Sequence, residues 1–321
     1  MSFKIGDVKI KGKVILAPMA GITSFSYRKF MKQFNPALTY TEMISDCGLI
    51  YENQRTLNYL KTDGSDRPLA VQLFGGNKEE LVKAIDIIEN AGYEYDILDL
   101  NLACPVNKVI RNNGGSSWLK DQDKLYKMVK AVVEKSKKPV SCKIRLGFDS
   151  INVEETVQTL EKAGASFIAI HARTRSQAYS GKADYEKLKN IRDLIKIPFC
   201  ISGDIFTVND ALNALKITRA DAVMVARGGV GNPELITNIN LALEAKPFDE
   251  NLDYQKQYKY LKEYVGYLVE EYGETRAVSL LRGIAPKFFI KLPNSKQLRI
   301  ELASTIKKEQ DIYDICDKYI K

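Results

Sequence analysis

Cys104 is the residue whose type and surroundings point most directly to chemistry. It follows Asn101 by three positions and precedes Pro105, just past the apolar run 97–100. Pro105 cannot donate to a sheet ladder and helps end a strand there. The following segment, 106–115, is polar and basic and closes on Gly114-Gly115, which reads as a long flexible loop. A thiol at a strand end on such a loop is well placed to act on a bound substrate. The competing reading is a small residue that is simply buried, since free Cys is among the most buried types.

Other reactive or charged residues also close apolar runs. Lys143 and Arg145 end one run, and a fixed cation there could stabilise the anionic ring of a reduced flavin. His171, the chain's one histidine, ends another beside Arg173 and Arg175. Ser202-Gly203-Asp204 and Ala226-Arg227-Gly228-Gly229 end two more, where backbone amides can approach an anion and Arg227 can pair with it. A helix opening near Asn232-Pro233-Glu234 would add its N-terminal dipole. No second histidine or carboxylate cluster supplies metal ligands, so no catalytic metal is expected. No G-x-G-x-x-G opens the first unit, which argues against a dinucleotide-binding domain.

The elements that must position these groups follow from the period of the apolar residues. Eight short apolar runs, at 14–17, 38–41, 69–73, 97–100, 140–144, 167–170, 199–201 and 222–225, alternate with helical patterns such as 79–90, 120–135, 153–163, 185–195 and 208–215. Such alternation predicts parallel βαβ units, and eight of them predict a closed barrel with its working residues at the strand C-terminal ends. The runs are apolar throughout, as strands buried on both faces require. After about residue 245 the pattern becomes helical. Tyr254, Tyr258, Leu261, Val265, Leu268 and Tyr272 share one stripe, Gly273 ends it, a second helix is predicted over 275–292, and another starts at Lys296. The tyrosine stripe reads as core more readily than as an RNA-stacking surface.

The chain has 321 residues and a formal net charge of +8, which suits a polyanionic partner. Residues 246–321 carry 14 Lys+Arg and 12 Asp+Glu, leaving +6 on the remainder. No apolar run approaches the ~20 residues that cross a bilayer. Five scattered cysteines and an N-terminus without a secretory apolar stretch point to the cytoplasm.

Four segments carry a resemblance: Ala17-Pro18-Met19-Ala20-Gly21-Ile22-Thr23, Val71-Gln72-Leu73-Phe74-Gly75, Asp99-Leu100-Asn101-Leu102-Ala103-Cys104-Pro105, and the stretch from His171-Ala172-Arg173 to Tyr179-Ser180-Gly181. Together they resemble the tRNA-dihydrouridine synthases, with the bacterial B-type subgroup nearest, over essentially the whole chain. The resemblance implies a (β/α)8 TIM barrel over 1–245 that binds FMN, and a small helical tRNA-binding domain over 246–321. It implies reduction of uridine to 5,6-dihydrouridine in the D-loop of tRNA, with NADPH as reductant and Cys104 as proton donor.

Family flavin contacts carry over to Pro18, Met19, Ala20, Gln72, Lys143, His171, Ser202, Gly203, Asp204, Ala226 and Arg227. Ser202 and Ala226 replace the Asn and Gly usual at those positions. Asn101 is expected to hold the uracil edge or to shape the loop, and Lys108, Arg111, Arg173 and Arg175 to hold the flipped nucleotide or the RNA backbone. Arg282 is kept in the tail, although Gly283-Ile284 follows it where Lys-His is common. Two other readings remain: a small-molecule flavin oxidoreductase of the dihydroorotate dehydrogenase kind, and a non-catalytic RNA-binding protein on an inherited barrel. The helical tail and basic charge argue against the first, and intact Cys104, Lys143 and His171 against the second.

Overall fold

All eight expected strands form. A computed structural model describes residues 2–320. After an N-terminal hairpin of β1 (Ser2–Ile5) and β2 (Val8–Lys11), the barrel strands are β3 (Val14–Leu16), β4 (Thr39–Tyr40), β6 (Leu69–Phe74), β7 (Ile97–Leu102), β8 (Val140–Arg145), β9 (Phe167–His171), β10 (Phe199–Ser202) and β11 (Ala222–Val225). A short β5 (Ile44–Ser45) pairs beyond β4 on the far end of β6. Every barrel pairing is parallel, and β11 returns to β3. The barrel closes between β3 and β4 through an Ile15–Leu38 bridge, where the Leu16 amide donates to Leu38 O at 3.0 Å.

Alternation along each strand sends one set of side chains inward and the other toward the helices. Ile15, Ala70, Ile97, Phe167, Cys200 and Met224 fill the interior, while Val14, Val71, Leu98, Ile168 and Val223 pack outward. The hairpin was not expected from the sequence. It plugs the bottom of the barrel: Ile5 and Ile10 join the interior cluster, and Phe3 stacks on Phe167 at 5.8 Å. Gly6 in its two-residue turn has φ +59°, and a Cβ there would meet Pro139 Cγ at 2.7 Å.

The helices follow the apolar periods, with caps where the sequence supplies them. Asn77 and Asp121 accept from the amides of Glu80 and Lys124, each at 3.0 Å, to start Lys78–Asn90 and Gln122–Lys135. Such caps are typically worth ~1 kcal/mol. The helical pattern at 185–195 divides into two short turns, Tyr185–Leu188 and Ile191–Leu194.

The helical tail is present and lies against the helix Phe25–Lys32. Its first helix, Tyr254–Tyr272, buries Tyr258, Leu261, Tyr264, Val265 and Leu268, so the stripe is core. Tyr264 meets Tyr27 at 5.6 Å and Phe30 at 5.4 Å. The Ser26 amide donates to the Glu271 carboxylate at 2.6 Å, tying tail to barrel. The second helix stops at Ile284 and not at 292, because Pro286 cannot donate to the preceding turn; a 3-10 segment, Ala285–Phe289, continues the chain. The helix expected from Lys296 is two, Lys296–Ser304 and Glu309–Tyr319. No helix among the described residues is long and apolar enough to cross a membrane.

Candidate active site

The strand C-terminal ends converge on a cavity of about 340 Å³. Its walls include Pro18, Met19 and Ala20 after β3, Asn101 and Cys104 after β7, Lys143 on β8, His171 on β9, Ser202, Gly203 and Asp204 after β10, and Ala226 and Arg227 after β11. One mouth therefore brings together groups from six strands.

Cys104 lies two residues past β7, on the cavity wall and 9% exposed. Burial pushes its thiol up, against the pull of the Val106 amide and of Arg145 and Lys143, so the thiol is held protonated. Its loop is not the irregular one expected. Asn107–Arg111 forms a short helix with Val109 buried, and Gly115–Lys120 forms a 3-10 turn. Three grips fix the thiol's backbone. Asn101 Oδ1 accepts from the amides of Ala103 and Cys104 at 3.1 and 2.9 Å. Arg145 Nε donates to Ala103 O at 2.8 Å, and Ser116 Oγ to Cys104 O at 2.9 Å.

Cations crowd the floor. Burial brings Lys143 down to about 8, with Arg145 adding to the effect and Asp99 opposing it. His171 is driven down to about 2 by burial and then by Lys143, Arg145, Arg173 and Arg227, so its imidazole is neutral. Lys143 has no salt bridge among the described residues, and an anion bound beside it would relieve its desolvation.

The C-terminal ends of β10 and β11 have the shape of an anion cradle. Gly203 adopts φ +119°, and a Cβ there would meet His171 Cδ2 at 2.9 Å, so only glycine lets this turn lie against the imidazole. Asp204 takes φ +51° and accepts from Arg173 Nη1 and Nη2 at 3.0 and 2.6 Å, and from the Ala183 amide at 2.9 Å. Burial works against these bonds, yet the Arg173 hydrogen bonds, the Ala183 amide and the charges of Arg173 and Arg227 hold Asp204 below its ordinary value. Arg227, half exposed, reaches Asp204 at 3.3 Å and lies 4.9 Å from the Tyr179 ring. The helix expected near Asn232 does form, as Glu234–Leu243, but its start is off the cavity wall. The cradle therefore rests on the two turns.

Several expected residues lie elsewhere. Gln72 is 1% exposed and stands behind Asn101: its Nε2 donates to Asp99 at 2.7 Å and its Oε1 accepts from Asn101 Nδ2 at 2.8 Å. Arg173 does not reach the surface as an RNA contact must. It is 1% exposed, and besides Asp204 it donates to the carbonyls of Ser180 and Gly181. Lys108 and Arg111 are exposed on the short helix beyond Cys104. Arg175 is partly buried, stacks on Phe148 at 4.8 Å and reaches Asn107 at 3.3 Å. Arg282 lies in the tail and donates to Ile306 O at 2.7 Å.

Three groups that the sequence reading named without giving them a place in the site stand in or beneath it. Arg145 lines the cavity and ties the Cys104 loop to the 171–181 loop through Thr174 O and Ala178 O, at 2.9 and 2.8 Å. Its place two residues past Lys143, on the same strand face, was the available signal. Tyr179 is 58% exposed at the mouth. Asp99 is fully buried beneath the site, and burial pushes it up to about 7 against hydrogen bonds from Ser141 and Gln72 and the charge of Lys143. Away from the cavity, Asp46, Cys47 and Glu80 bring ligand-type atoms within 4.8 Å of one another.

Comparison with known proteins agrees with this architecture. The family model described as "Dihydrouridine synthase (Dus)" matches residues 15–321. A probable tRNA-dihydrouridine synthase from Rickettsia bellii is 34% identical over 299 residues, 92% of this chain and 91% of that protein. The tRNA-dihydrouridine synthase B of Pasteurella multocida is 34% identical over 75% of this chain and 73% of its own length. Among solved structures, the old yellow enzyme homologue from Zymomonas mobilis aligns with a TM-score of 0.55 at 13% identity, covering 78% of this chain and 94% of that one, a likeness of fold. The matched family and its relatives span the barrel, the thiol loop and the helical tail alike, and the chain belongs to the dihydrouridine synthase family.

Proposed function

We propose that this protein reduces uridine to 5,6-dihydrouridine in the D-loop of tRNA, using FMN with NADPH as reductant. The observation that carries the reading is the union, in one mouth, of a protonated thiol, a half-buried lysine and a glycine-and-arginine cradle. Gly203, Asp204, Ala226 and Arg227 hold the phosphate of FMN. Pro18, Met19 and Ala20 bound the cofactor, and Lys143 with neutral His171 faces its ring. Bound FMN supplies the hydride to carbon 6 of the uracil.

Cys104 then gives its proton to carbon 5 from the opposite face. A thiol held above its ordinary value keeps that proton near neutral pH, as a general acid must. The uridine is turned out of the folded tRNA to reach the mouth. Arg145 and Tyr179 bound its pocket, and Lys108, Arg111 and Arg175 meet the RNA backbone. The barrel over 1–245 thus carries the chemistry. The tail over 246–321, with Arg282, carries part of the tRNA contact, and the substrate places the protein in the cytoplasm.

The test is direct. Purified protein carries FMN, and tRNA from cells lacking the protein gains dihydrouridine when incubated with it and NADPH. Turnover of dihydroorotate in place of tRNA would establish the small-molecule reading. A preparation that binds tRNA without taking up flavin would establish the non-catalytic one.

A further inference from the structure

We propose that Asp99 is a positioning residue: it fixes the direction of a hydrogen-bond chain that ends on the backbone amide of Cys104, and so sets where the thiol stands. The inference rests on the functional reading above only for its kinetic arm.

The chain runs across three neighbouring strands. Ser141 Oγ on β8 donates to Asp99 Oδ1 at 2.5 Å, and Gln72 Nε2 on β6 donates to Asp99 Oδ2 at 2.7 Å. Gln72 Oε1 accepts from Asn101 Nδ2 at 2.8 Å, and Asn101 Oδ1 accepts from the amides of Ala103 and Cys104. Asp99 and Asn101 are two apart on β7, so both point to one face, and register sets Gln72 opposite Asp99. Asp99, Gln72 and Asn101 are all buried, at 0, 1 and 8% exposure, so water does not compete for these bonds.

An amide side chain has a donor at one end and an acceptor at the other, and either can face a given neighbour. Two such amides in series are ambiguous until one end is fixed. Asp99 Oδ2 fixes the far end by offering only an acceptor to Gln72, matching the donor-only loop amides at the near end. Gln72 must then turn its oxygen to Asn101, and Asn101 must turn its oxygen to the two loop amides. In the reverse arrangement Asn101 Nδ2 would face the amides of Ala103 and Cys104, donor against donor, and both would lose their acceptor. Protonation of Asp99 leaves the direction intact, because Ser141 Oγ can accept as well as donate and Oδ2 stays an acceptor. Lys143, on the next strand, is the charge facing Asp99. The backbone that carries the thiol is therefore oriented by a carboxylate that touches neither cofactor nor substrate.

The test compares Asp99→Leu with Asp99→Asn in the flavin-loaded protein. The first readout is the rate at which iodoacetamide alkylates Cys104, followed on its peptide by mass spectrometry, which needs no turnover. The second is reoxidation of the reduced flavin by tRNA. Asp99→Leu removes the acceptor and is expected to change the alkylation rate at least threefold and to slow reoxidation at least tenfold, with that slowing absent in a Cys104→Ala background. Asp99→Asn can offer its oxygen to Gln72 and its amide to Ser141, and stays within about threefold of wild type on both. Unchanged alkylation in Asp99→Leu overturns the proposal, as does equal damage from Leu and Asn, which would make the charge opposite Lys143 the operative feature.

If Asp99→Leu loses flavin, Asn101→Asp gives an independent arm. It places acceptors at both ends of Gln72, and the double variant Asp99→Asn/Asn101→Asp restores a consistent chain in which the new amide at position 99 donates to Gln72. The double is expected to recover Cys104 alkylation toward wild type, and a double no better than the single overturns the proposal. Failure of tRNA to reoxidise the wild-type flavin would undo the functional reading and leave the alkylation result to decide the positioning role.

Discussion

Arg173 grips Asp204 through both terminal nitrogens, at 2.6 and 3.0 Å, directly under the turn that leads toward the anion cradle. The arginine side chain is 2% exposed and the carboxylate 26%. Leaving a fully buried charge unpaired typically costs about 3–5 kcal/mol, but Asp204 is partly exposed and would keep Arg227 at 3.3 Å and the Ala183 amide at 2.9 Å. Arg173→Ala is therefore expected to lower urea stability by less than that, about 1–3 kcal/mol, and to weaken flavin binding. Wild-type stability with weaker tRNA binding would instead return Arg173 to the RNA surface.

Arg227→Glu sets a negative charge in the cradle proposed for the flavin phosphate. The variant should purify largely without flavin while keeping its circular dichroism spectrum. Full visible flavin absorbance would move the phosphate to another site.

Cys104→Ala should retain FMN and be reduced by NADPH at a near-normal rate. Reoxidation by tRNA should slow by about 10²–10⁴-fold, the usual worth of a general acid. Stopped-flow absorbance separates the two halves. Wild-type reoxidation would assign the proton to another group, and loss of flavin would make the residue structural.

His171 is the chain's single imidazole, so its titration can be followed without assignment. With its value driven down to about 2, it stays neutral in the folded flavin-free protein while an unfolded chain protonates it near 6.5. The unfolded state then binds more protons below 6.5. This residue's contribution leaves stability flat above pH 6.5 and lowers it as pH falls from there toward 2, by about 1.4 kcal/mol per unit. Proton NMR of the flavin-free protein should show no imidazole shift between pH 5 and 8. A midpoint near 6.5 would mean that the ring is solvated and the surrounding cations are screened from it.

tRNA affinity should fall steeply with salt, since each phosphate contact releases counterions. Lys108→Glu and Arg111→Glu should each reduce the slope by about one contact. A flat salt response would leave those side chains as a solvated face.

The barrel was legible because its strands are buried on both faces, and continuous apolar runs at regular spacing mark such strands in the sequence. Cys104, Lys143 and His171 were legible because they interrupt those runs at the ends where barrels place their sites. What the sequence hid depends on direction and partnership. Arg173 and Arg175 look equivalent two residues apart, yet one is sealed under Asp204 and the other partly reaches solvent. Asp99 reads as an oddity inside an apolar run until Gln72 and Ser141 arrive from strands 27 residues before it and 42 after it. Pro286 did carry its signal, and the helical period of the surrounding apolar residues masked it. The hairpin was announced by Gly6-Asp7 between two short alternating stretches, which are too brief to stand out from a loop.

That hairpin has a kinetic corollary. With Ile5 and Ile10 stoppering one end of the barrel and side chains filling its interior, traffic to the floor around Lys143 passes through the mouth that Cys104 and Tyr179 flank. In the proposed reaction the reductant and the RNA share that one doorway, so each must depart before the other enters. Turnover of the proposed reaction is then expected to take ping-pong form, with parallel double-reciprocal plots and mutual inhibition when either substrate is in excess; intersecting plots would mean that both substrates are held at once.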